Sequence, residues 1–226
     1  MKKLHPLMFL VAIVLLTSCG PVSKLTKAQA YRGIYEEKPL SVLIMPPINR
    51  STNVDAKEYF HTTLNVPIID AGYYVVPPFL SMEILKRESA YDSELFIERP
   101  SLLAFKEIFG ADVALFTIIH KWDKSSIGST VTIEVEYIIR STDSGEVLYT
   151  RRGTIVYNAS VNTGGGIIAN MVASAISTAL TKYVDVARGC NNYTFSDLPR
   201  GKYSSKYQLD AQEMSGLKKF KVRLSN

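Results

Sequence analysis

Three groups of polar residues have the types and spacing for chemistry. His120 lies near Asp112, Lys121 and Asp123 in the chain, a set able to move a proton. Glu134 and Glu136 stand two apart in an alternating stretch, so both carboxylates share one strand face. Gly164-Gly165-Gly166 precedes a helical pattern and can offer backbone N–H groups to a phosphate. Each falls short of its chemistry. A serine nucleophile needs an elbow such as Gly-x-Ser-x-Gly, which the chain lacks. Glycoside hydrolysis needs two carboxyl groups flanking a substrate, not side by side on one strand. No Lys-Ser/Thr follows the three glycines, and no Gly-x-Gly-x-x-Gly occurs. Cys190, His61 and His120 are too far apart in sequence to make a ligand cluster for a metal. These polar residues therefore read as solvated strand ends and a flexible helix entry. The sequence carries no catalytic residue, no cofactor signature and no metal site, so an enzyme is not expected.

The residue with the clearest chemistry is Cys19. Lys2 and Lys3 precede an apolar run from Leu7 to Leu16, and Leu16-Thr17-Ser18-Cys19-Gly20 follows. A charged start, a short apolar run and a small-residue cleavage site make a secretory signal. A membrane span needs about 20 apolar residues, and this run is half that. Leu-Thr-Ser-Cys resembles a bacterial lipobox, in which the cysteine thiol takes a diacylglyceryl group and becomes the mature N-terminus. An ordinary cleaved signal and an uncleaved membrane helix are the alternatives. A triacylated cysteine anchors stably without any spanning helix. Gly20 in place of aspartate resembles the sorting signal for outer-membrane retention, which makes the expected location the outer membrane, facing the periplasm, with the inner membrane still open. Lipidation leaves Cys190 unpaired. It sits in the polar stretch Arg188-Gly189-Cys190-Asn191-Asn192, as a free thiol or an intermolecular bridge.

The chain has 226 residues, 46% hydrophobic and 21% charged, with a formal net charge of +5. Without Lys2 and Lys3 the balance is only mildly basic. The densest basic patch is Lys218-Lys219-Phe220-Lys221-Val222-Arg223. This is no footprint for nucleic acid, and none is expected as a partner.

The elements that must position these residues follow from periodicity. Residues 20–40 show little of it and read as a spacer. Leu40 to Met45, stopped by Pro46-Pro47, is a buried strand. Asp55 caps a helix from Ala56 to Val66, which Pro67 limits. Ala71 to Val76 is a second strand, stopped by Pro77-Pro78. A helix over 79–89 turns Leu80, Ile84 and Leu85 inward, and another ends at Phe109 with Gly110 as its stop. Asp112 to Trp122, Thr130 to Arg140 and Glu146 to Asn158 are strands, the last two a hairpin around Asp143-Ser144-Gly145. A helix follows from the glycines to about Arg188, and no charged residue occurs from Gly153 to Thr181. Strands alternating with helices, then a hairpin, give an α/β (α+β) fold: a mixed sheet with helices packed on it.

This series of motifs resembles a lipoprotein family, formerly a domain of unknown function, whose neisserial members are called GNA-type lipoproteins. The residues that carry the resemblance are the lipobox at Cys19, Val42 to Ser51, Gly72 to Pro78, Gly110 to Phe116, and Ser141 to Glu146. The resemblance implies a domain similar to the N-terminal domain of the translocation protein TolB, and a context similar to CsgG-type outer-membrane secretion lipoproteins. It brings no catalytic residues. The implied organisation is a signal peptide over 1–18, a lipidated tether over 19–39, an α/β domain over 40–190 and a C-terminal extension over 191–226, which packs on the domain or on a partner.

Two surfaces are candidates for a partner. The loops after the proline pairs lie at one edge of a parallel sheet, where open α/β sheets bind ligands, which singles out Asn49, Arg50, Ser51 and Thr52. In the helix after the glycines, Ala169 and Ala173 are spaced for close helix approach, and Ile176 and Leu180 add apolar surface. The expected function is accessory or assembly work in outer-membrane transport or secretion, through contacts with a second copy or with other envelope lipoproteins (CsgG-like). The alternative is a periplasmic ligand- or peptidoglycan-binding module at the Asn49 edge. A deep pocket there favours the alternative, and a flat apolar patch favours assembly.

Overall fold

The computed structural model describes residues 25–125, 130–158 and 179–225. In chain order the elements are α1 (Lys27–Ala30), α2 (Arg32–Glu37), β1 (Ser41–Ile44), β2 (Ile48–Asn49), α3 (Ala56–Asp70), β3 (Tyr74–Val75), α4 (Pro78–Arg87), α5 (Glu94–Ile97), α6 (Leu103–Phe109), β4 (Val113–Lys124), β5 (Thr130–Ser141), β6 (Val147–Asn158), α7 (Ala179–Phe195) and β7 (Lys219–Ser225). The seven strands make one mixed sheet in the order β3-β1-β4-β5-β6-β7, with β2 also on β4. β1 is parallel to β3 and β4, β4-β5-β6 run antiparallel, and β7 joins β6 in parallel. The mixed sheet expected from the sequence is present.

Side-chain alternation sorts the core into two layers. Val42 and Ile44 of β1 and the odd residues of β5 from Val131 to Ile139 face one layer, which α3 and α7 complete with Phe60, Leu64, Ile68, Val186 and Phe195. Leu43, Met45, Ala114 and Phe116 face the other, under Leu85 of α4 and Phe105 of α6. β1 and the first half of β4 are covered on both faces, which is why they read as unbroken apolar runs. Burying a side chain such as Phe60 or Leu64 contributes about 1.5–3 kcal/mol.

Several local expectations are corrected. Pro67 lies inside α3 instead of ending it. Its missing N–H removes one bond near the C-terminal end, while buried Ile68 and Ala71 hold the next turn in place. Asp55 caps no N–H through its side chain. In α4 it is Ser81 and Leu85 that are buried, and Leu80 points to solvent. α7 runs through Gly189 to Phe195, because the Tyr157 ring packs on the space where a side chain at 189 would stand. Cys190 is therefore not in an exposed turn but in a helix, fully buried, and burial pushes its thiol pKa far up. An intermolecular bridge from it would require α7 to open.

The two ends of the described chain fold together. Residues 26–37, read as spacer, form α1 and α2 with Tyr31 and Ile34 buried. The Lys27 ammonium pairs with Asp210 at 3.4 Å and Glu213 at 2.9 Å. Asp197 accepts from the Tyr31 hydroxyl and from the Gly216 N–H at 2.7 Å, and faces Arg151 of β6 at 3.9 Å. Ser215 donates its N–H to the Leu25 carbonyl at 2.9 Å. The C-terminal stretch closes the β3 edge, where Gly201 and Tyr203 donate to the carbonyls of Ala71 and Gly72. Gly72 has φ +94°, and a Cβ there would meet Ser204 at 2.5 Å. Then β7 extends the far edge. The expected boundaries at 39/40 and 190/191 thus fall inside packed structure.

Candidate functional site

The first candidate edge is built by the ends of β1 and β2. Arg50 donates its N–H to the Ile119 carbonyl at 2.9 Å, which continues the pairing of β2 with β4. The chain then folds on itself. The Asn49 carboxamide oxygen accepts from the Ser51 N–H at 3.0 Å and from its hydroxyl at 2.7 Å. The Asn49 amide donates to the Asn53 carbonyl at 2.7 Å. Arg50 turns away to pair with Glu94, and Thr52 is exposed. Ser93 donates to the Pro46 carbonyl at 2.6 Å, and Lys57 lies 4.2 Å over the Tyr91 ring. The chain's own 91–94 stretch thus packs beside this edge and engages Arg50 and Pro46, while Thr52 stays exposed. Asn49 and Ser51 are brought together, but they bond each other. A shallow cleft lies elsewhere, between Tyr35, Lys38, Tyr73, Arg200 and Tyr207, with about 10 Å³ of room, enough for one water.

The charged residues of the sheet meet in a different set. His120 does not join Asp112. The register of β4 on β5 shifts between Ile119 and Lys121, and this bulge at His120 aims its ring at Glu136, 2.8 Å away. Asp112 instead accepts from the N–H groups of Leu40 and Ser41 at 2.9 and 3.1 Å. Arg152 stands opposite Glu136 in register, 3.6 Å from its carboxylate, and holds Glu134 at 2.6 Å. Arg152 carries no sequence motif and was not a candidate; its signal lies only in hairpin register, which sets opposite charges across from each other. The polar atoms of this network bond one another, and it contains no serine or cysteine. Asp123 pairs with Lys121 at 2.9 Å.

A third feature is apolar. The layer formed by α4, α5 and α6 covers the β3-β1-β4 part of its sheet face and turns large side chains outward. Phe79 is 83% exposed, Leu95 66%, Leu80 55% and Ile108 50%. The second candidate surface, Ala169, Ala173 and Ile176, lies outside the described residues; Leu180 falls in α7, but its side chain is not among those described. Gly164 to Gly166 and Cys19 are also outside them. Among the described residues, no helix is long and apolar enough to cross a membrane.

A mixed sheet with helices packed on it defines the class of the fold, α/β. Within that class, the chain belongs to the family described as "Putative lipoprotein GNA1162-like", which matches residues 29–204. The match begins within the stretch read as tether and runs past residue 190. The protein is similar to the Putative lipoprotein NMB1124/NMB1162 of Neisseria meningitidis serogroup B, with 25% identity over 185 residues, 80% of this chain and 84% of that one. Among solved structures it is similar to lipoprotein GNA1162 from Neisseria meningitidis, at 22% identity and TM-score 0.49, over 66% of this chain and 99% of that one. It is also similar to the LpoB C-terminal domain from Salmonella enterica, at 13% identity and TM-score 0.36, over 64% and 91%. Both the family and the curated relative are described as lipoproteins.

Proposed function

We propose that this protein is an envelope lipoprotein, anchored through lipid on Cys19 in the outer membrane and facing the periplasm. It works by protein–protein contact as an accessory or assembly component of a transport or secretion system. The observation that carries this reading is the outward apolar surface of α4, α5 and α6. Phe79, Leu80, Leu95 and Ile108 are each at least half exposed within one layer. Soluble monomers seldom leave large apolar patches bare, and such patches mark docking sites. The partner is a second copy or another envelope lipoprotein. The ligand-binding alternative draws no support from the Asn49 edge, where the polar atoms of Asn49 and Ser51 bond within the loop.

The test is site-specific photo-cross-linking in intact cells. A photoreactive residue at Phe79 or Leu95 is expected to give a discrete protein adduct. The same residue at Lys202, near the opposite side of the β3 edge, is expected to give none. Equal, diffuse labelling from all three positions refutes assembly through this layer.

A further inference from the structure

The basic patch noted in the sequence becomes an ordered feature of the fold. Among the described residues, β7 is the edge strand of the sheet. Its apolar residues Phe220, Val222 and Leu224 pack against the core beside β6. Phe220 lies directly on Gly153, where a Cβ would come within 2.1 Å of its ring. With that face pinned, strand alternation sends Lys219, Lys221 and Arg223 to the opposite, bare face, and all three are exposed. Lys218 is exposed at the strand entry. Among the described residues, the carboxylates on that face are Asp123, Glu134 and Glu136, and they are engaged by Lys121, Arg152 and His120. The cations of β7 stand in a row without a carboxylate on their own strand.

The place where the chain enters the fold gives this row its partner. Leu25 is bonded to Ser215, three residues before Lys218. Residues 19–24, however arranged, reach at most about 20 Å, and residues 215–218 about 10 Å. A lipid on Cys19 therefore keeps the start of β7 within about 30 Å of the surface of its own bilayer, a tether short enough to let the strand come into contact with it. Basic residues next to a membrane anchor are attracted by anionic headgroups, over roughly one Debye length of 8–10 Å.

We infer that the β7 edge is the membrane-facing side of the domain, with Lys218, Lys219, Lys221 and Arg223 among anionic phospholipid headgroups. The inference rests on the lipid anchor at Cys19 proposed above. It turns the far side of the molecule, with α4 and the β3 edge, away from the bilayer.

The experiment uses the full mature protein purified from envelopes and reconstituted into two kinds of vesicle. One is phosphatidylcholine alone, and the other contains about a third phosphatidylglycerol. Lysine acylation is followed by mass spectrometry, with Lys86 of α4 as the reference. On anionic vesicles Lys218, Lys219 and Lys221 are expected to acylate about fivefold more slowly than on neutral ones, an effect lost near 1 M salt. In the variant Lys219→Gln/Lys221→Gln/Arg223→Gln, whose changes lie on the exposed face, Lys218 is expected to lose that protection. Equal rates on both vesicles, with lipid present on Cys19, overturn the inference alone and leave the row to solvent or an acidic protein. An intact mass without lipid overturns the anchor, and this orientation with it.

Discussion

At the scale of the residue, burial decides the behaviour of the titratable groups. Cys190 looks reactive in sequence because its neighbours are polar. In the fold Asn191 spends its side chain on Tyr137 and on Thr63, and the helix turns Cys190 into the core. His61 is the residue that links folding to pH. Its Nε2 is buried without a hydrogen-bond partner among the described residues, and burial, the larger cause, lowers its pKa against the opposing pull of Glu58. A His whose folded pKa is lowered binds its proton more readily when unfolded. Its contribution to stability is thus complete above the ordinary value of 6.5 and is lost as pH falls below it. Going from about pH 7.5 to about pH 5, the wild-type protein is expected to lose roughly 2–4 °C more in melting temperature than His61→Gln. Parallel melting curves for the two proteins would refute this. The imidazole was visible in the sequence, but its lack of a partner was not, since that depends on what packs over α3.

At the scale of the element, strands were the legible part. β1, β4, β5 and β6 follow from an unbroken apolar run and from period-two alternation, and both patterns depend on local sequence. α1 and α2 were missed because four and six residues are too short to display a helical period. What makes them ordered is distant in the chain. The Asp197 carboxylate joins Tyr31, Arg151 and Gly216, so it fastens the N-terminal helices and the C-terminal stretch to β6 at once. Asp197→Ala leaves Arg151 buried without its carboxylate, which is expected to cost about 3–5 kcal/mol in urea unfolding. Asp197→Asn keeps an acceptor and is expected to cost less. Limited proteolysis of the alanine variant is expected to open residues 26–37 and 197–217 together. Cleavage confined to one of them would refute the shared clasp.

At the scale of the whole molecule, the chain enters and leaves the fold on the same side, beside β7. The body is a single sheet whose β3 edge is closed by the C-terminal stretch and whose β7 edge is, among the described residues, open and basic. Such an edge resists pairing with another strand, since exposed lysines guard it. The surface proposed for assembly, α4 to α6, belongs to the other half of the sheet. Attachment and docking are therefore separable. Cys19→Ser is expected to move the protein from the membrane fraction to the soluble fraction while its circular dichroism spectrum stays that of a folded domain. Membrane retention at the wild-type level would sink the single-anchor reading.

The sequence by itself determined the address motif at Cys19, the mixed α/β class and the four long strands. Each rests on residues adjacent in the chain: a lipobox, an alternation, a proline pair. Tertiary structure alone decided that residues 26–37 and 191–225 belong to the body, that His120 meets Glu136 instead of Asp112, that Asn49 and Ser51 satisfy each other, and that the basic patch is an edge strand. These outcomes depend on contacts between distant parts of the chain, on a one-residue bulge or on how a loop turns back on itself, and no local period encodes them.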